Sequence, residues 1–376
     1  MKTGRIDEEA LRRNIAKRIT EDIQCHRVGA AAVCVLQRGS VNYSETFGTQ
    51  VPNGDEPLRK DAIFRIASMT KPITVIAVLM LVQSGKLGLE DEVCKYLPKY
   101  AHLRLAEGVR YCATPLRIWH LLTHTSGMET NQTYRDLARH LPPEIGCSLS
   151  RSVDYYASLP LAYEPGSQRR YSGRVTFDIL GRIAELVSGQ GFAEFVHDRI
   201  FVPCGMTDTA FSPTPEQWSR VVGMHDLRDG LSVTAETVPG CVVDDVPPSH
   251  PLGGSGLIST LSDYVKFARM LLDKGMTPRG RILDADLVTL MAVPQLPAEL
   301  MSADVNQGLG VRVITGEGYP WLHTGAFGWS GAYGTHFWVD PFNEIVAVYM
   351  KNSRYDGGSG ARTAKNFEED VYLSIC

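Results

Sequence analysis

The chain of 376 residues carries a formal net charge of −4, with 44% hydrophobic and 21% charged residues, enough length for a large core and for two packed subdomains. Its basic residues are scattered, with no Lys/Arg block able to track a phosphate backbone or an acidic membrane, which excludes nucleic acid as the partner class. Eight cysteines lie apart without a CxxC pair or a Cys/His cluster of metal-ligand spacing, so they read as free thiols and no metal site is expected.

Residues 1–24 have the pattern of an amphipathic helix of mixed charge, with no apolar core of signal-peptide length. The longest apolar stretch, from Ile73 to Val82, is too short to cross a bilayer of about 30 Å. The expectation is a cytoplasmic protein without a membrane span. Residues 29–36, the Arg38-Gly39-Ser40 turn and residues 41–47 predict a hairpin. In the middle of the chain, helix patterns at 72–84, 115–122, 175–188 and 192–200 alternate with Pro- and Gly-rich loops. Strand character returns at 309–315, 334–339 and 344–351, with Asp340-Pro341-Phe342-Asn343 as a turn, and the chain closes on a helix pattern at 361–375. These elements predict an α+β fold: an antiparallel sheet from both chain ends (1–60 and 252–376), flanked by helices, with a mainly helical subdomain (61–251) inserted. A site is expected at their junction.

Ser68 and Lys71 stand three residues apart in the first turn of the helix opened by Ala67-Ser68-Met69-Thr70-Lys71-Pro72, a spacing that puts both on one face. A serine hydroxyl needs a base to become a nucleophile, and a desolvated lysine is one way to supply it. Free N–H groups at a helix start favour negative charge, so the Ser68 N–H is a candidate oxyanion donor. Every other lysine lacks a serine three positions before it, and Pro72 is of the kind tolerated near a helix start. Further on, Glu164-Pro165-Gly166 precedes Tyr171-Ser172-Gly173 on a loop, where a phenol flanked by cations can shuttle a proton. A third, glycine-rich stretch runs from Trp321 to Gly331 and contains His323-Thr324-Gly325-Ala326. Its small residues allow close backbone approach, which makes the Ala326 N–H a second candidate oxyanion donor.

In their order and spacing these three elements resemble the motifs of the serine β-lactamase and penicillin-binding-protein superfamily, in particular the branch of class C β-lactamases, D-peptidases and family VIII esterases. The resemblance extends from about residue 10 to the C-terminus and includes Leu121-Leu122-Thr123-His124-Thr125-Ser126-Gly127 and Gly253-Gly254-Ser255-Gly256. It implies a β-lactamase-like fold and an acyl-enzyme mechanism without metal or organic cofactor. By that resemblance Ser68 is acylated, Lys71 is its partner, Tyr171 is general base and then acid, and His323 is a proton-network or substrate contact. Ser68 and Ala326 N–H groups form the oxyanion hole, and Gly173, Thr324, Gly325, Phe327 and Trp329 are the candidate substrate contacts.

Two departures direct the expected substrate class. Gly173 stands where lactamases and peptidases carry an asparagine, so the side-chain amide that holds an acylamino group is missing. His323 stands where they carry a lysine, which removes a permanent charge facing a substrate carboxylate. The expectation is therefore a carboxylesterase or acyltransferase on small esters, with an amide-cleaving D-peptidase or weak β-lactamase as the alternative, and a non-catalytic binding protein as the alternative of another class. A G-x-S-x-G elbow is absent. His120 and His124 have metal-like spacing but no third ligand nearby, and read as core or capping residues.

Overall fold

The computed structural model describes residues 4–106, 110–128, 141–235, 250–358 and 360–376. The strands that build and flank the site are β1 (Ala30–Gln37), β2 (Ser40–Gly48), β3 (Ile63–Arg65), β4 (Ile258–Thr260), β5 (Val305–Gln307), β6 (Arg312–Ile314), β7 (Phe327–Ser330), β8 (His336–Asp340) and β9 (Ile345–Met350). The helices that bear on it are α1 (Glu8–Gln24), α2 (Thr70–Gln83), α3 (Ile118–Leu122), α4 (Val175–Ser188), α5 (Leu261–Leu272) and α6 (Arg362–Leu373).

Seven strands form one antiparallel sheet in the order β2-β1-β9-β8-β7-β6-β5. Every residue of β1 and of β9 is buried, because both faces of the sheet are covered. Successive side chains of a strand point to opposite faces. Ala31, Val33 and Val35 therefore join the cluster of Leu11, Ile15 and Ile19 from α1 and Phe367 and Val371 from α6, whereas Ala32, Cys34 and Leu36 enter the larger core with Tyr264, Phe267 and Leu271 of α5. The i, i+4, i+8 stripe Leu11-Ile15-Ile19 is what makes α1 a covering helix. Its start is set by Asp7, whose carboxylate accepts the Glu9 and Ala10 N–H groups. Each fully buried leucine or isoleucine here contributes about 1.5–3 kcal/mol relative to exposure.

The sequence missed four of these strands, β3, β4, β5 and β7; β3 and β4 are only three residues long, and β7 lies inside the glycine-rich stretch, where Gly328 interrupts any alternation. A hairpin of His225–Arg228 with Leu231–Thr234 also interrupts the mainly helical middle. Helix α4 has the expected bounds, α2 starts two residues before the pattern at 72, and the helix expected over 192–200 changes from α to π geometry after Val196. All seven cysteines among the described residues are free; Cys241 lies outside them. No helix of the described residues is long and apolar enough to cross a membrane.

β3 and β4 pair with each other, Ile63 with Thr260 and Arg65 with Ile258, and this short ladder aims the chain at the site. Asn352, just after β9, clamps Arg65 by accepting its N–H at 3.0 Å and donating to its carbonyl at 3.0 Å. The chain then turns sharply: Ala67 sits at φ +44°, a left-handed conformation that costs a non-glycine residue about 1–3 kcal/mol and persists only where surrounding contacts over-determine it. Those contacts are the 3₁₀ turn Ala67–Met69 leading into α2 and the buried Tyr264 hydroxyl, which donates to the Met69 carbonyl at 2.8 Å.

Candidate active site

Ser68 emerges from that strained turn into a cavity of about 360 Å³ lined by Ser68, Arg169, Tyr171, Met301, Val305, Asn306, Gln307, Trp329, Ser330 and Ala332, among others. Its hydroxyl lies 2.7 Å from the Tyr171 hydroxyl and accepts from Lys71 Nζ at 3.2 Å. Lys71 is wholly buried and also donates to the carbonyls of Gly173 and, at 2.8 Å, Gly254. Among the described residues no carboxylate pairs with it. The two carbonyls fix the rotation of the amino group, so its remaining position faces Ser68 Oγ: an N–H when the lysine is charged, a lone pair when it is neutral. Its Nζ also stands 5.1 Å from the Tyr171 ring centre and 5.2 Å from that of Phe177.

Gly253 and Gly254 bring the second carbonyl that close. A Cβ at Gly253 would lie 2.2 Å from the Phe177 carbonyl oxygen, and one at Gly254 would lie 3.0 Å from the Gly173 oxygen and the Arg174 Cα. Thr74, one turn after Thr70 on α2, donates to the Gly253 carbonyl at 2.7 Å and locks the approach. Both glycines were legible only as part of the accessory stretch 253–256.

Tyr171 is held from behind by His124. The buried imidazole lies 4.8 Å from the Tyr171 ring and stacks on Trp329 at 5.8 Å and 14°. Burial, then the nearby Arg169 and Lys71 charges, push its pKa well below the ordinary histidine value. The neutral ring accepts the Ser172 N–H at Nδ1 (3.3 Å), so the proton is on Nε2. His120, in contrast, caps α3 by accepting the Arg117 N–H at 3.1 Å.

The third motif is displaced from where the sequence put it. Ser330 pairs with His336 and Phe327 with Val339, so the Ser330 end of β7 abuts the nucleophile turn and the Phe327 end runs away from it at about 3.3 Å per residue. Contact at the near end is direct: Thr335 Oγ1 donates to the Ile66 carbonyl at 3.1 Å, and a Cβ on Gly331 would lie 2.4 Å from the same oxygen. His323 is instead at the far end, stacked on Phe342 at 4.0 Å with its Nδ1 against the Thr324 carbonyl. Thr324 and Gly325 are exposed there.

Three expectations are thereby corrected. His323, Thr324 and Gly325 do not reach the Ser68 cavity. The Ala326 N–H is spent on the His323 carbonyl at 2.9 Å and is buried, so it has no hydrogen to offer an oxyanion. Phe327 packs in the core, whereas Trp329 lines the cavity and Gly173 meets Lys71 through its carbonyl. The backbone group beside Ser68 is Ala332, and among the described residues neither the Ser68 nor the Ala332 N–H has a partner.

A buried relay stands behind Ser330. Its hydroxyl is 2.8 Å from His336 Nδ1, and His336 Nε2 is 3.0 Å from Glu368 Oε1, which also accepts from Arg312 at 2.6 Å. Burial raises the Glu368 pKa, but the His336 hydrogen bond and Arg312 outweigh it and bring the group down to about 2. His336 thus bridges the Ser330 hydroxyl and the Glu368 carboxylate through its two ring nitrogens.

A serine hydroxyl, a buried lysine and a facing phenol meet at one cavity, the arrangement of a serine hydrolase. The model of the family described as "Beta-lactamase" matches residues 13–369, and the chain belongs to that family. It is 31% identical over 358 residues to Protein Rv1367c of Mycobacterium tuberculosis, covering 86% of this chain and 85% of that protein. It is 30% identical to esterase EstB of Burkholderia gladioli, covering 89% and 88%. Among solved structures, EstCE1, a hydrolase with promiscuous acyltransferase activity, superposes with a TM-score of 0.84 at 24% identity, over 97% of this chain and 99% of that one. The fold is the β-lactamase-like α+β fold expected from the motifs.

Proposed function

We propose that the protein is a carboxylesterase for small esters, working at the junction of a sheet subdomain (1–60 and 252–376) and a mainly helical one (61–251). Tyr171 takes the proton of Ser68 as Oγ attacks the ester carbonyl, while Lys71 holds Oγ and stabilises the phenolate. The oxyanion is received by the Ser68 and Ala332 N–H groups. Collapse breaks the ester C–O bond, and Tyr171 returns the proton to the leaving alcohol. Water, deprotonated in turn by Tyr171, attacks the acyl-enzyme, and Ser68 leaves reprotonated. No metal or organic cofactor enters these steps.

The observation that carries esters over amides is the state of the cavity's side-chain amides. Asn306 and Gln307 line it, but Asn306 is committed to the Leu296 N–H and carbonyl and to the Gln307 N–H, and Gln307 to the Gly308 and Val311 carbonyls and to Arg169. Gly173 has no side chain. An acylamino group thus meets no uncommitted side-chain amide, and each polar group buried unpaired costs about 1–3 kcal/mol, a cost that an ester lacking the group avoids. The resemblance to EstB supports the same reading. The test is parallel turnover of p-nitrophenyl butyrate, a chromogenic cephalosporin and a D-alanyl amide, with a serine-directed phosphonate and mass spectrometry to locate the adduct. Butyrate is expected to lead by several orders of magnitude with the adduct on Ser68; comparable kcat/KM for the cephalosporin, or an adduct elsewhere, overturns the proposal.

A further inference from the structure

Two arginines line the catalytic cavity, and their circumstances differ. Arg312 is neutralised: its guanidinium donates to Glu368 and to the Tyr319 hydroxyl. Arg169 is not. Its Nη2 donates to the neutral Gln307 Oε1 at 2.9 Å, its buried Nε–H has no partner, and no carboxylate pairs with it among the described residues. The described lining of the cavity contains no Asp or Glu at all, and the next charge inward is Lys71, which also lacks an acidic partner. Burial lowers the pKa of Arg169, as desolvation of an uncompensated cation must. Arg169 therefore borders the 360 Å³ space without a counter-ion among the described residues, and Lys71 lies behind Ser68. The inserted helical segment supplies both cations and the opposing strand β5 supplies Gln307, so the guanidinium is held from two sides.

We infer that the Arg169 side of the cavity recognises a carboxylate carried by the ester substrate, so that the preferred substrates are anionic esters. The inference rests on the esterase reading above and names its substrate class. Arginine suits this role because its planar fork matches a carboxylate, and a charge-assisted hydrogen bond in a site shielded from water is stronger than a neutral one. The carboxylate belongs either to the acyl or to the alcohol part, and the two arms of the test separate these sources.

The experiment compares each anionic ester with its neutral carboxamide twin. In the acyl arm these are the p-nitrophenyl hemiester of adipic acid and the p-nitrophenyl ester of adipamic acid; in the alcohol arm, 4-acetoxybenzoate and 4-acetoxybenzamide. Wild-type protein is expected to prefer the anionic member of one arm by at least about tenfold in kcat/KM. The preference should fall to about one in Arg169→Gln and partly survive in Arg169→Lys, with thermal melting confirming that both variants fold. Absence of a preference in both arms overturns the inference. So does a preference that survives Arg169→Gln, or an equal loss on both twins, which would make Arg169 only a support for the Tyr171 loop. Turnover of the neutral twins reports separately on the esterase reading. If no ester is turned over, calorimetric binding of adipate against the neutral diamide adipamide to wild type and Arg169→Gln still decides, and equal affinities refute the inference.

Discussion

Replacing Tyr171 with phenylalanine removes one oxygen, 2.7 Å from Ser68 Oγ, and leaves the ring against His124, Trp329 and Lys71. The two consequences differ in size. For the fold, one partly exposed hydrogen bond is lost, a net effect of about 0.5–1.5 kcal/mol, and the apolar contacts remain. For the reaction, a positioned proton-transfer group is lost, which contributes about 10²–10⁴ in rate, equivalent to about 2.7–5.4 kcal/mol of activation free energy. The variant should therefore melt within a few degrees of wild type and lose at least a hundredfold in kcat/KM on p-nitrophenyl butyrate. Single-turnover measurement of p-nitrophenol release locates the loss in acylation. A decrease of less than about fivefold with wild-type acylation would refute the assignment of Tyr171 as the base, and with it the proton path described above.

Ser68→Ala should abolish turnover with the fold intact, and Lys71→Ala should lower it by at least about 10²; wild-type acylation of either variant removes its role. His323→Ala is expected to stay within about twofold of wild type, because His323 lies on Phe342 at the far end of β7, whereas Ala332→Pro, which deletes an N–H, should lower kcat by about 10²–10³; the reverse ranking would restore the Ala326 assignment. Gly253→Ala drives a Cβ to 2.2 Å from the Phe177 carbonyl oxygen, so the loop must move, at about 1–3 kcal/mol in stability and with loss of the Gly254 contact to Lys71, read as a lower urea midpoint together with slower acylation. The Glu368 carboxyl, at about 2 in the folded chain against an ordinary 4.5, contributes stability that is fully present above pH 4.5 and lost as the pH falls from there towards 2. Acid titration of the melting temperature should show this slope, and Glu368→Gln should flatten it.

Ser68 and Lys71 were legible in the sequence because their relation is local: three residues on one helix turn fix two side chains on one face, whatever surrounds them. Tyr171 was legible through its motif, and the catalytic class followed from the order of the three elements. The alternating and 3.6-residue patterns also determined the terminal helices, the β1–β2 hairpin and the last two strands. Tertiary structure alone decided which part of the stretch 321–331 meets the nucleophile. Antiparallel pairing sets Ser330 opposite His336, and that register depends on neighbours distant in the chain and on glycines that carry no periodic signal. His323 and Ala326 were therefore displaced by Ser330 and Ala332. The same cause hid Gly254, whose carbonyl reaches Lys71 across 183 residues, and Arg169, which looks like any loop arginine until folding brings Gln307 beside it and leaves it without an acidic partner among the described residues.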